Sequence, residues 1–127
     1  PAHLALGAFG RQLAAMPPTG GTLRTGDLSG ERDVLPVEAV AEAMLDLAAR
    51  PAAAGIVNVC SGRAVPMRAV VGELLRQCPF PVALEEAPGQ RGVTSVRRHF
   101  GSPARLHALG ILPRDPGLPA TLARFVA

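Results

Sequence analysis

The residue most able to do chemistry is Arg32. It follows a glycine-bounded polar loop, Asp27-Leu28-Ser29-Gly30-Glu31, and opens a short extended run, Arg32-Asp33-Val34-Leu35-Pro36. A guanidinium at the mouth of such a run offers parallel N–H donors that match a phosphate or a carboxylate. The competing reading is a solvated strand-end arginine paired with Asp33 or Glu31. More basic residues, Arg91, Arg97, Arg98 and His99, crowd a polar, irregular stretch over 89–101. His99 and His107 have no acid or nucleophile at a recognisable spacing and read as surface histidines. Cys60 reads as a small buried hydrophobe rather than a nucleophile. Asn58, inside an apolar run, reads as an anchor for the Ser61-Gly62 turn that follows.

The whole chain constrains these candidates. At 127 residues and 48% hydrophobic content it has the size and composition of one folded domain. The net charge is +3, and every basic residue is arginine, because the sequence has no lysine; tyrosine and tryptophan are absent too. The arginines accompany an abundance of alanine, glycine and proline, as a coding bias would produce. Only an arginine in a specific context therefore carries a functional claim. Cys60 and Cys78 are too few for a disulfide framework, and no Cys/His set has zinc-site spacing, so reduced thiols and a cytoplasmic setting are expected. No apolar run approaches a membrane span of roughly 20 residues, and no signal pattern opens the chain. A start at Pro1 fits a fragment, a processed product or an expressed segment.

The elements that must position Arg32 follow from periodicity. Leu6, Phe9, Leu13 and Met16 recur at helical spacing, which predicts a helix over 3–16, stopped by Pro17-Pro18. A short strand is expected over 22–26, and Pro36 opens a helix over 37–49 with Val37, Val40, Ala41, Met44, Leu45 and Ala48 on one broad face. The run 55–60, Gly-Ile-Val-Asn-Val-Cys, predicts a strand covered on both faces. Met67, Val70, Val71, Leu74, Leu75 and Cys78 predict a helix over 66–78, and Val82-Ala83-Leu84 a further strand. Ser102-Pro103 reads as an N-cap followed by proline at the first helical position, with Gly110 as the stop. A last helix is expected from near Asp115. The class is α/β, in one compact unit or part of one.

Three segments, in this order, resemble the C-terminal region of the extended short-chain dehydrogenases (the NAD-dependent epimerase/dehydratase family) that act on nucleotide sugars. The first is Gly26-Asp27-Leu28-Ser29-Gly30-Glu31-Arg32-Asp33-Val34-Leu35-Pro36-Val37, similar to the family's glycine-loop, Arg-Asp, strand and helix passage. The second is Gly55-Ile56-Val57-Asn58-Val59-Cys60-Ser61-Gly62, whose wording leans toward the GDP-mannose dehydratase and GDP-4-keto-6-deoxy-mannose reductase branch. The third is Gly101-Ser102-Pro103-Ala104-Arg105-Leu106 through Leu109-Gly110. The resemblance spans nearly the whole chain. It implies the C-terminal part of a Rossmann-type fold, 1–127 being a substrate-binding region whose N-terminal Rossmann lobe lies outside the chain. It also implies that Arg32 meets the diphosphate of a GDP- or UDP-hexose. Arg91 falls where the family carries a second diphosphate-binding arginine, although Gly92-Val93-Thr94-Ser95 departs from the Pro and Asp that often follow there; Arg97 and Arg98 are stand-ins.

Hydride chemistry in this family uses NAD(P) on a glycine-rich strand–turn–helix, with a tyrosine and a lysine. Neither residue type occurs in this sequence, and the glycine pair Gly7 and Gly10 lies inside a helical pattern. The chain by itself is therefore expected to be non-catalytic and not to bind NAD(P). The resemblance also implies that 55–60 joins the edge of a Rossmann sheet, so it is expected to pair with a missing lobe or with a second copy in a homodimer. One competing reading is an arginine-rich module that binds an acidic partner or nucleic acid. Against that, the aromatic content is only 3%, and the arginines form no dense patch. Another is a degenerate relative kept as an interaction surface. No membrane partner is expected.

Overall fold

The computed structural model describes residues 4–87 and 96–126. Helix α1, Ala5–Ala14, is followed by strand β1, Gly21–Thr25, and by the two-residue strand β2, Glu31–Arg32. Next come α2, Val37–Ala48, then β3, Val65–Pro66, α3, Met67–Gln77, and β4, Val82–Glu86. After the short strand β5, Arg98–His99, the chain ends in α4, Ala104–Ala108, and α5, Leu118–Leu122, with a 3-10 turn at Ala123–Phe125. β1 and β4 pair in parallel, from Gly21 opposite Val82 to Thr25 opposite Glu86. β2 is the centre of a second small sheet, antiparallel to β3 and parallel to β5.

The main core follows the helical periodicities. Phe9 and Leu13 of α1, Leu23 of β1, Leu28 of the polar loop, and Val70, Val71 and Leu74 of α3 close on Leu122 of α5. Leu6, Met16, Met67 and Leu75 pack around this cluster. The α1 and α3 faces are thus those expected from spacing. A separate, smaller cluster joins Ala43 of α2, Leu106 of α4 and Ile111, with Leu47, Val57, Val59 and Leu109 against it. Val34, in the run after β2, packs against the main cluster and so ties the segment that carries Arg32 to the core.

Four expectations need correction. The run 55–60 is not a strand: it has no ladder partner among the described residues, and Ile56 is 86% exposed. A strand exists only where a neighbour takes its N–H and C=O groups. Here the Ala54 and Ile56 carbonyls instead accept from the Arg105 guanidinium. Second, α2 buries its small residues, Ala39 and Ala43, while Val37, Met44 and Leu45 of the expected face remain exposed. Ala43 packs with Leu106 of α4 and with Ile111, a close approach that a small side chain permits. Third, α4 begins one residue later than expected, with Pro103 at the cap position and the Ser102 hydroxyl accepting from the Ala104 N–H at 3.4 Å. The last helix likewise starts at Leu118 rather than near Asp115, whose carboxylate accepts from the Gly117 N–H.

Glu73, Arg76 and Gln77 of α3 form a hydrogen-bonded cluster beside Pro119. The Glu73 carboxylate accepts from Arg76 at 2.6 and 2.9 Å and from Gln77 at 2.6 Å. Hydrogen bonds from Arg76 first, then Gln77, hold its carboxyl down from the usual 4.5 to about 2. A lowered folded-state value stabilises the fold above the unfolded value, and that contribution is lost as pH falls from about 4.5 towards 2. Urea midpoints of the native chain should therefore drop between pH 5 and pH 2 more steeply than those of Glu73→Gln. Parallel curves for the two proteins would show that the cluster contributes nothing.

Candidate functional site

Arg32 opens on a cleft of about 380 Å³ between α1, the end of β1, the 26–28 loop and the start of α3. Its walls are apolar where Ala8, Phe9, Leu28 and Met67 line them, and polar where Gln12 and Asp27 do. The loop that shapes one wall is tied down locally. Asp27 accepts from the Ser29 N–H at 2.8 Å, and the Ser29 side chain first, then this backbone bond, holds the Asp27 carboxyl below its usual range. The Leu28 N–H donates to Glu86 of β4 at 3.0 Å, and Glu86 also receives Arg68 at 2.6 Å. Those two contacts lower the Glu86 carboxyl. On the opposite wall the Gln12 amide pairs with both the N–H and the carbonyl of Arg24 at 2.9 Å, substituting for a strand neighbour at the free edge of β1.

The Arg32 guanidinium is held by backbone and not by carboxylates. Its Nη1 donates to the carbonyls of Glu31 at 2.7 Å and Val96 at 2.9 Å, and it packs over Gly30, where a Cβ would come within 2.9 Å of Nη1. The pairing with Asp33 or Glu31 considered from sequence does not occur. Glu31 is engaged by Arg98 at 2.8 Å, and Asp33 accepts from the Ser61 and Gly62 N–H groups at 3.0 and 2.9 Å. Among the described residues no carboxylate meets the Arg32 charge. A guanidinium fixed by two carbonyls, with its charge uncompensated, is pre-oriented for an anion.

Asp33 faces the other way, as successive residues of an extended run must. It lines a broader groove of about 690 Å³ with Val40, Val57, Asn58, Cys60 and Phe100. Sequence reasoning gave the Ser61-Gly62 turn to Asn58, but Asp33 holds it, and Asn58 only reaches the Ser102 carbonyl at 3.5 Å. Alternation along the Arg-Asp pair was the available signal: if Arg32 served one side, Asp33 had to serve the other. Arg91 lies outside the described residues. Of its stand-ins, Arg98 is occupied by Glu31 and stacks 4.9 Å over the Phe100 ring, and Arg97 gives its carbonyl to the Glu31 N–H.

Cys60 is half-buried against Gly101, and burial first, then the Asp33 charge, pushes its thiol up; burial does the same for Cys78. Both thiols should therefore react with an aromatic disulfide reagent at pH 7.5 more slowly than a small free thiol, and the rate should keep rising well into the alkaline range. Reaction at the free-thiol rate would contradict this. Among the described residues no group of three or more His, Cys, Asp or Glu side chains could hold a metal ion, and no helix is long and apolar enough to cross a membrane. Among the described residues no glycine-rich strand–turn–helix of the nicotinamide-binding kind is formed. Gly7 and Gly10 lie within α1 with no described strand before them, and Gly10 packs on Phe125.

No family model matches the sequence. Over 85 residues it is 33% identical to the GDP-6-deoxy-D-mannose reductase of Pseudomonas aeruginosa, a match covering 67% of this chain and 28% of that protein. The fold superposes on the structure of RMD from Pseudomonas aeruginosa complexed with NADPH with a TM-score of 0.81 and 26% identity, covering 99% of this chain and 42% of that one. A UDP-glucose 4-epimerase from Thermus thermophilus in complex with NAD matches with a TM-score of 0.67 and 28% identity, over 95% of this chain and 39% of the other. The architecture is therefore that of a Rossmann-type α/β enzyme in its C-terminal part. The chain belongs to the extended short-chain dehydrogenases of the NAD-dependent epimerase/dehydratase family, and it spans well under half the length of these relatives.

Proposed function

We propose that this chain is the substrate-binding part of an NAD(P)-dependent epimerase, dehydratase or reductase that acts on the hexose of a nucleoside-diphosphate sugar. The observation that carries the reading is the uncompensated Arg32 guanidinium on the rim of a partly apolar cleft. A diphosphate brings negative charge that must be met as water leaves, and a fixed fork meets it without reorganising. The apolar walls suit a nucleoside. The names of the relatives, a GDP-sugar reductase and a UDP-sugar epimerase, support this substrate class. Arg91 is proposed as a second arginine on the diphosphate.

NAD(P) supplies hydride exchange in this reading and binds on a preceding Rossmann lobe, which also carries the tyrosine and lysine that this sequence lacks. The chain's own part is to bind and orient the sugar nucleotide. Support for a covering lobe comes from the unpaired 55–60 run beside the 690 Å³ groove and from the exposed Ile56, Met44 and Leu45, together with the small share of the relatives' length that the chain covers. A second copy is the other candidate for that edge, and the cytoplasm is the proposed compartment.

Competition separates this reading from an arginine-rich module for nucleic acid. Unlabelled GDP or UDP should displace a fluorescent GDP analogue from the chain at lower concentration than a single-stranded oligonucleotide does. An oligonucleotide that competes better than either nucleotide would overturn it.

A further inference from the structure

We infer that Thr25 is a ligand-contacting residue of the Arg32 cleft, its hydroxyl hydrogen-bonding the nucleoside portion of the bound nucleotide; this rests on the diphosphate reading of Arg32. Among the described residues two threonines are buried, Thr25 at 7% and Thr121 at 6% exposure. Thr121 sits in α5 and donates its hydroxyl to the Gly117 carbonyl at 2.9 Å. Thr25 Oγ1 is sealed from solvent and has no hydrogen-bond partner among the described residues. A hydroxyl left without a partner inside a fold is costly, whereas valine of the same shape removes that cost.

The place of this orphan gives it a use. Thr25 ends β1, its carbonyl accepts from the Ala87 N–H at 2.9 Å, and it lines the same cleft as Phe9, Leu28 and Met67. A change of χ1 rotamer exchanges Oγ1 with the methyl group without moving the backbone, so the hydroxyl can turn to the cleft when a partner arrives. Arg32 takes the phosphates on the polar rim, which leaves the nucleoside for the apolar wall that contains Thr25. A hydroxyl both donates and accepts, so it pairs with a base edge or a ribose hydroxyl.

Calorimetry with GDP on the 127-residue chain and on Thr25→Val, Thr25→Ser and Arg32→Ala tests this, with melting of each free protein in parallel. Thr25→Val should bind GDP about 3- to 10-fold more weakly while melting roughly 2–5 °C higher, because it loses the contact and the orphan together. Thr25→Ser should keep the affinity. Equal binding by Thr25→Val and the native chain overturns the inference while the Arg32 reading stands, provided that Arg32→Ala is weakened. Equal loss in Thr25→Ser and Thr25→Val overturns it too, because the hydroxyl would then not be what matters. If the native chain binds no GDP, the Arg32 reading falls and this inference with it.

Discussion

Asp33→Ala is expected to lower the melting temperature by roughly 10 °C, corresponding to about 2–3 kcal/mol. The carboxylate accepts two backbone N–H groups, from Ser61 and Gly62, 28 and 29 residues away in sequence. The turn it holds has no slack. Gly62 stands at φ +76°, and a Cβ there would lie 2.8 Å from Cδ of Pro103. Truncation strands two half-buried donors that are poorly placed to reach water, and it frees the 58–62 segment from β2. Asp33→Asn keeps one good acceptor and should lose about half as much. Thermal unfolding followed by circular dichroism measures both, and an Asp33→Ala protein melting with the native chain would remove Asp33 from the account. Because Asp33 is adjacent to Arg32, this anchor also fixes the base from which the guanidinium reaches the cleft.

Arg32→Ala is expected to weaken GDP binding by about 10- to 100-fold, the range of one or two charge-assisted hydrogen bonds. Stability should change little, since only the bonds to the Glu31 and Val96 carbonyls are lost. Arg32→Lys keeps the charge but not the fork, so it should fall between the native chain and the alanine variant. Calorimetry of the three proteins at one fixed ionic strength separates these cases. Salt must be held constant because exposed charges are screened.

The parts legible in the sequence are those encoded by local patterns. Phe9 and Leu13 mark the buried stripe of α1, and Val70, Val71 and Leu74 that of α3. The glycine loop and extended run that bracket Arg32 mark where the chain meets the cleft. What was not legible depends on contacts between distant segments. The apolar run 55–60 reads as a strand, yet strand identity needs a hydrogen-bonded neighbour that the described residues do not provide. The bulky residues of α2 suggest a buried face, yet Ala39 and Ala43 are what pack. Asp33 closes a loop across 28 residues, and Thr25 becomes notable only once its hydroxyl is seen without a partner. The family resemblance went further than periodicity, because it used the order of three segments along the chain.

The central claim is that Arg32 recognises the second phosphate of a nucleotide, and it is tested most directly by comparing GDP with GMP on the native chain and on Arg32→Ala. The account predicts that the native chain prefers GDP by about tenfold or more and that this preference collapses towards unity in the variant. The same GDP-to-GMP ratio in both proteins would contradict it.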